Sequence, residues 1–168
     1  NYFSRGLTFN SNRQYNLALA DYLKIEELDK DKSFVKSNYL YNNIAVSFEN
    51  LEQYDKALEY YTKEIKFRPN YSTGYRNRGD LYAEKIKDYK KAEDDFTKAI
   101  DLEPENAWNY YYRGQFYGDY LEDYDKAIID YTKAIELDPT DLKNYFSRGL
   151  TFNSNRQYNL ALADYLKI

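Results

Sequence analysis

The sequence contains no cysteine, no histidine and no methionine. Disulfides and thiolate nucleophiles are therefore excluded, as are imidazole bases and the nitrogen and sulfur ligands that usually hold zinc or copper. Carboxylates, lysines, tyrosines and hydroxyls are what remains for catalysis, and no spacing marks out any of them as a catalytic set. A calcium-loop start at Asp29, Asp31 and Ser33 lacks the required glycine, which is Phe34, and the closing glutamate, which is Leu40. No apolar run approaches the roughly 20 residues that cross a bilayer, and no charged start leads into an apolar signal segment. Basic residues are also too few for a phosphate-binding face: 24 Lys and Arg against 28 Asp and Glu leave a net charge of -4. The expectation is thus no enzyme, no cofactor, no metal, no nucleic acid and no membrane. The chain opens on Asn1 rather than Met, which points to a piece of a longer protein.

What the chain has in quantity is aromatic residues, 22 Tyr, 9 Phe and 1 Trp, and they recur. Five repeats align on one small residue: Gly6, Ala45, Gly79, Gly114 and Gly149. Four positions earlier stand Tyr2, Tyr41, Tyr75, Tyr110 and Tyr145, and three later Phe9, Phe48, Tyr82, Tyr117 and Phe152. Twelve or thirteen positions after the small residue comes an alanine: Ala18, Ala57, Ala92, Ala127 and Ala161. Tyr15, Tyr54, Tyr89, Tyr124 and Tyr158 precede that alanine, and Tyr22, Tyr61, Phe96, Tyr131 and Tyr165 follow it by four. Such spacing places rings and small residues on the facing sides of two helices. Glycine inside a helix costs about 1 kcal/mol relative to alanine, so four at one register imply close approach of paired helices.

Pro69, Pro104 and Pro139 close the second helix of repeats two to four. The repeats span residues 1–37, 38–71, 72–106, 107–141 and 142–168, the last truncated. The first junction has Lys30 where proline is expected and five extra residues, 33–37, with Ser33 a candidate cap for a longer helix in repeat two or part of a local hinge. Repeats three and four carry one extra residue between their helices. Overlaid on the short period is a long one, because residues 1–25 recur without change at 144–168.

The landmark order Tyr110, Gly114, Tyr117, Ala127, Tyr131, Ala134 and Pro139 resembles the tetratricopeptide repeat. The resemblance covers the whole chain and implies an all-α, right-handed superhelical solenoid, of nine or ten antiparallel helices here. A length of 35 residues is shared with RNA-binding pentatricopeptide repeats, but the landmarks and the acidic charge argue against that class. The family is built of binding scaffolds, so the implied function is capture of a peptide or partner protein in a concave groove lined by first helices. The groove positions of the family fall on Tyr39, Asn42, Asn43 and Glu49, on Thr73, Arg76, Asn77 and Asp80, and on Trp108, Tyr111, Tyr112 and Gln115. Rings beside amides suit an extended peptide, the rings burying apolar side chains and the amides bonding its backbone; contact with a neighbouring repeat is the competing role for them. Of the positions that form the family's carboxylate clamp, only Asn77 fits. The alternative expectation is head-to-tail self-association through uncapped ends, since Leu160, Leu162, Tyr165, Leu166 and Ile168 have nothing after them to cover their outward side.

One departure from the family pattern is systematic. Arg5, Arg78, Arg113 and Arg148 directly precede the glycine, and each such repeat has an aspartate before the last aromatic of its second helix: Asp21, Asp95, Asp130 and Asp164. Repeat two has Ile44 and Tyr60 instead. An ion pair between the helices of a repeat, exchanged for an apolar contact in repeat two, is the expectation.

Overall fold

The computed structural model describes residues 1–168, with the side chains of residues 36–38 outside the described set. Among the described residues all regular structure is helical. The chain forms two compact units, residues 1–70 and 71–168. The first contains α1 (Tyr2–Ser11), α2 (Tyr15–Leu28), α3 (Ser33–Asn38), α4 (Leu40–Asn50) and α5 (Tyr54–Phe67). Here α1 pairs with α2 and α4 with α5, while α2 packs on α4. In the second unit α6 (Ser72–Leu81) runs into a π-helical turn (Tyr82–Ile86), followed by α7 (Tyr89–Leu102), α8 (Ala107–Tyr120), α9 (Tyr124–Leu137), α10 (Leu142–Ser154) and α11 (Tyr158–Tyr165). The pairs α6/α7, α8/α9 and α10/α11 stack through α7 on α8 and α9 on α10.

Among the described residues there are eleven α-helices, rather than nine or ten, because the extra residues at the first junction form a helix of their own. Ser33 does not cap a longer helix: Tyr39, at φ 51°, breaks α3 from α4. The Asp29 carboxylate caps α3 instead, accepting the backbone N–H of Phe34 at 3.0 Å and of Val35 at 2.8 Å. Arg68, at the end of α5, donates to both the buried Glu64 carboxylate and the Val35 carbonyl. The junction is packed, with Val35 fully buried; the side chains of Lys36 and Ser37, among the extra residues, lie outside the described set. Burial pushes the Glu64 carboxyl above its ordinary value, against the pull of Arg68. The prolines act as their positions suggest: Arg68, Glu103 and Asp138, each just before one, leave helical geometry with ψ of 76°, 76° and 86°.

Every turn within a repeat is closed by the same recurring hydrogen bond. The carbonyl of the landmark aromatic Phe9, Phe48, Tyr82, Tyr117 or Phe152 accepts the N–H of the residue that opens the second helix, Gln14, Gln53, Asp88, Asp123 or Gln157, at 2.8 to 3.0 Å. The residue before that donor is left-handed in all five: Arg13, Glu52, Lys87, Glu122 and Arg156. The extra residue of repeats three and four is absorbed inside this closed loop, as the π-helical turn in repeat three and as a longer α8 in repeat four.

The helices of each repeat touch at the small residues. A methyl group added at Gly6 would stand 2.5 Å from Cε1 of Tyr22, and one at Gly149 2.6 Å from Cε1 of Tyr165. Below these contacts lie Ala18, Ala57, Ala92, Ala127 and Ala161, all buried, and the rings of Tyr22, Tyr61, Phe96 and Tyr131. The expected ion pairs are present and bidentate. Nε and Nη2 of Arg5 reach Asp21 at 2.7 and 2.6 Å, those of Arg78 reach Asp95 at 2.7 and 2.8 Å, those of Arg113 reach Asp130 at 2.7 and 2.9 Å, and those of Arg148 reach Asp164 at 2.8 and 2.7 Å. Arg113 and Arg148 also donate through Nη1 to Thr97 and Thr132 of the preceding repeat. In repeat two Ile44 is fully buried and Tyr60 packs on the rings of Tyr41 and Phe48, its hydroxyl donating to Glu26 at 2.6 Å.

Two stability predictions follow from this packing. Gly6→Ala forces a methyl group onto the fully buried Tyr22 ring and should cost about 1–3 kcal/mol. Gly118→Ala meets Ala127 at an ordinary 3.5 Å and Thr151 Oγ1 at 3.9 Å, and should be neutral or stabilising by up to about 1 kcal/mol, as helix propensity dictates. Urea unfolding of the two variants separates these outcomes; equal losses would refute close approach as the reason for glycine. Arg113→Ile strands the buried Asp130 carboxylate and should cost about 3–5 kcal/mol. The double variant Arg113→Ile/Asp130→Tyr, which installs the residues of repeat two, should cost clearly less, and the ordering of the two midpoints tests the point.

Candidate peptide-binding face

The candidate residues of the second unit lie on its first helices, α6 and α8, with α10 on the other side of α8. They stay partly exposed because the opposite sides of these helices, bearing Gly79, Gly114 and Gly149, are turned to α7, α9 and α11. Asn106 caps α8, its side chain accepting the N–H of Trp108 at 3.1 Å, which fixes where the aromatic run begins. From there Trp108, Tyr111 and Tyr112 form a mutually contacting set, with centroid separations of 5.7 Å, 6.1 Å and 5.6 Å. Tyr111 also touches the core ring of Tyr131 at 5.7 Å, so the exposed set is anchored to the core.

Arg76 of α6 joins this set. Its guanidinium lies 5.0 Å from the Tyr112 ring centroid, and its Nη groups make long contacts to Asn109 Oδ1 at 3.4 Å and Thr73 Oγ1 at 3.5 Å. Arg76 Nε is buried without a hydrogen-bond partner among the described residues. Across the face, Lys143 stands 5.2 Å over Trp108. Burial pushes the Tyr112 hydroxyl above its ordinary value; the cation of Arg76 opposes that shift and the carboxylate of Asp80 adds to it. Thr73, Arg76, Trp108, Tyr111 and Tyr112 are thus brought together, with Asp80 near enough to act on Tyr112 by charge. Asn77 lies on the same helix, half-buried.

Gln115 belongs to a neighbouring cleft of about 440 Å³. Tyr111 and Gln115 of α8 form one wall, Phe146 and Leu150 of α10 the other, and the carboxylates of Asp119 and Glu122 also line it. Trp108 borders a second, shallower hollow with Pro104 and Leu137, at the turn into α8.

In the first unit the candidate residues take up local work. Tyr39 is the left-handed break before α4, and Arg68 lies 4.5 Å over its ring. Asn43 donates its amide to the Tyr39 carbonyl at 3.1 Å, and the Asn42 backbone N–H bonds to the Glu64 carboxylate. Glu49 accepts the hydroxyl of Tyr61 at 2.7 Å. Sequence spacing missed two groups of residues. Asn109 is fully buried and ties α8 to the end of α7 through the Ala99 and Glu103 carbonyls at 3.0 and 3.3 Å, besides facing Arg76. Leu150, Asp119 and Glu122 complete the cleft; only Asp119, one helical turn after Gln115 on α8, could have been suggested by spacing.

Stacked antiparallel helix pairs with small residues at the crossing and aromatic first-helix faces define an all-α helical-repeat scaffold. The tetratricopeptide repeat family matches residues 39–71, 74–106 and 109–141, and a second model of the same repeat matches residues 130–163. The chain belongs to the tetratricopeptide repeat family. A curated relative, the uncharacterized protein ycf37 of Guillardia theta, is 34% identical over 86 residues, which are 49% of this chain and 47% of that protein. The chain therefore spans about half the length of the curated relative it matches. Among solved structures, MamA from Desulfovibrio magneticus is similar with a TM-score of 0.77 at 23% identity, covering 99% of this chain and 90% of the other. A tetratricopeptide repeat protein from Parabacteroides merdae gives 0.78 at 19% identity, covering 98% and 62%. YrrB, described as having an unusual peptide-binding site, gives 0.67 at 19% identity, covering 99% and 82%.

The polarity around Tyr112 yields a titration prediction. Its hydroxyl should ionise above the ordinary value near 10, and Arg76→Gln should raise that value further, because a neighbouring cation favours the phenolate. Tyrosine ring-carbon NMR against pH reads both; a downward shift in the variant would contradict the placement of Arg76 over the ring.

Proposed function

We propose that the chain is a non-enzymatic scaffold whose second unit holds an extended peptide of a partner protein along α6, α8 and α10. The observation that carries this reading is the linked set Arg76, Tyr112, Tyr111 and Trp108, half-exposed and continuous with the cleft between Tyr111 and Phe146. Rings held rigidly by the core offer apolar contact at low entropic cost, which is what binding hot spots are made of. Arg76 has no carboxylate at ion-pair distance among the described residues, so it can take a peptide carbonyl or an acidic side chain. The cleft supplies Gln115 and Ser147 for backbone bonding and Phe146 and Leu150 for an apolar side chain. Family membership and the peptide-binding site described for YrrB support the class of ligand.

The chain has one tryptophan, so Trp108 fluorescence reports directly on this face. A screen of overlapping 15-residue peptides should yield ligands that change Trp108 emission on titration. Tyr112→Ala and Phe146→Ala should each weaken such a ligand by about tenfold or more, with the melting temperature close to that of the parent chain. Substitutions that lower stability as much as Phe116→Ala, made at a ring of α8 that is fully buried, without changing affinity in proportion, would show that these rings are core residues and sink the reading.

A further inference from the structure

The cleft between α8 and α10 carries two carboxylates that no cation of the surrounding helices answers. Asp119 on α8 and Glu122 in the turn after it both line the cleft, and both are exposed. Rings stand around them: Tyr111 of α8, Tyr124 and Tyr131 of α9, and Phe146 of α10. Every lysine and arginine of α8, α9 and α10 is engaged elsewhere. Arg113 and Arg148 are held by Asp130 and Asp164, Lys126 by Asp123 at 3.1 Å, Lys133 by Glu136 at 3.4 Å, and Lys143 lies over Trp108. The cleft thus presents negative charge and aromatic faces without a counter-charge from the helices that form it.

The charge of Asp119 is felt by the rings. Burial pushes the Tyr131 hydroxyl above its ordinary value, and Asp119 adds to that shift. The Tyr120 hydroxyl is raised by burial, then by Glu84, Asp80 and Asp119, with Lys85 in opposition. The end of the face built from the C-terminal parts of α6 and α8 is therefore negative. Towards the other end, Arg76 and Lys143 place positive charge over Tyr112 and Trp108. We propose that the cleft receives a lysine or arginine side chain of the bound peptide, its charge beside Asp119 and Glu122 and its methylene stem along the rings. This rests on the peptide-holding role of α6, α8 and α10 proposed above.

Three other occupants fit less well. A metal ion needs more donors, and no group of three or more acidic residues able to hold one occurs among the described residues. An apolar side chain would take both carboxylates out of water without a partner, which weakens binding. An acidic side chain would meet like charge. A long cationic side chain satisfies both parts of the cleft: its head bonds a carboxylate and lies over ring faces, while its stem covers apolar surface. The cleft, at about 440 Å³, has room for it. The opposed charges also give the peptide a direction, with its basic residue at the cleft and an acidic residue, where it has one, at Arg76.

The probes are four pools of nine-residue peptides, acetylated, amidated and free of tryptophan, identical in composition except for a central arginine, lysine, norleucine or glutamate. Norleucine keeps the stem of lysine without its charge. Each pool is titrated against the chain and read by Trp108 emission. The arginine and lysine pools should half-saturate at about tenfold lower concentration than the norleucine pool, with the glutamate pool weakest. In Asp119→Asn/Glu122→Gln that advantage should vanish while the norleucine pool binds as before. Both residues are exposed, so the melting temperature should stay close to that of the parent chain. The control Glu27→Gln/Asp55→Asn removes the same charge from exposed positions of the first unit and should keep the advantage. Equal binding of the lysine and norleucine pools, an advantage that survives in Asp119→Asn/Glu122→Gln, or one lost equally in the control would overturn this assignment and leave the peptide groove standing. Emission unchanged by all four pools would overturn both.

Discussion

Everything in this chain depends on how closely two helices of a repeat can approach. With glycine or alanine at the crossing, the backbone of the first helix rests on the aromatic ring four residues beyond the alanine of the second. The separation is then set by a hard contact, leaving little latitude to side-chain choice. The ring at that point is buried in the first four repeats, as Tyr22, Tyr61, Phe96 and Tyr131. The cost of glycine in a helix is offset by rings that no larger residue would admit. The aromatic abundance is the counterpart of the small residues, since large rings must fill the space on either side of so narrow a crossing.

The arginine and aspartate pair works at the edge of that contact. A bidentate pair at fixed positions of both helices holds their register, and through Thr97 and Thr132 it reaches the repeat before. Such pairs add little to net stability when both members are lost and much when one is. Repeat two shows that the fold accepts the apolar solution, with Ile44 and Tyr60 in their place. The pair is therefore a matter of alignment more than of strength, and four of five repeats use it.

Much of this could be read from spacing alone. Helix pairs, their boundaries, the ion pairs and the small-residue crossings each repeat along the sequence, and repetition separates signal from coincidence. The junction after the first repeat could not be read, because it occurs once and its organisation comes from residues far away: Asp29 caps α3, and Arg68, 33 residues beyond Val35, closes it. The proposed binding face was half legible. Trp108, Tyr111 and Tyr112 stand out as rings left over after the architectural ones are assigned, and the structure joins them to Arg76. Tyr39, Asn42 and Asn43 occupy equivalent positions by number, and the structure gives them local bonds around the start of α4 and to Glu64 of α5. The cleft wall at Phe146 and Leu150 depends on the gap between α8 and α10, which no spacing within one helix encodes.

The turn inside each repeat has a fixed anchor and a variable interior. One carbonyl, that of the landmark aromatic, always receives the first N–H of the next helix, whether the loop between them holds four residues or five. Length added there changes the surface of the turn while both helices keep their seats. For anyone wishing to graft a reporter sequence or a second recognition loop onto this scaffold, that is the seam at which the chain already tolerates insertion, and it recurs once in every layer of the stack.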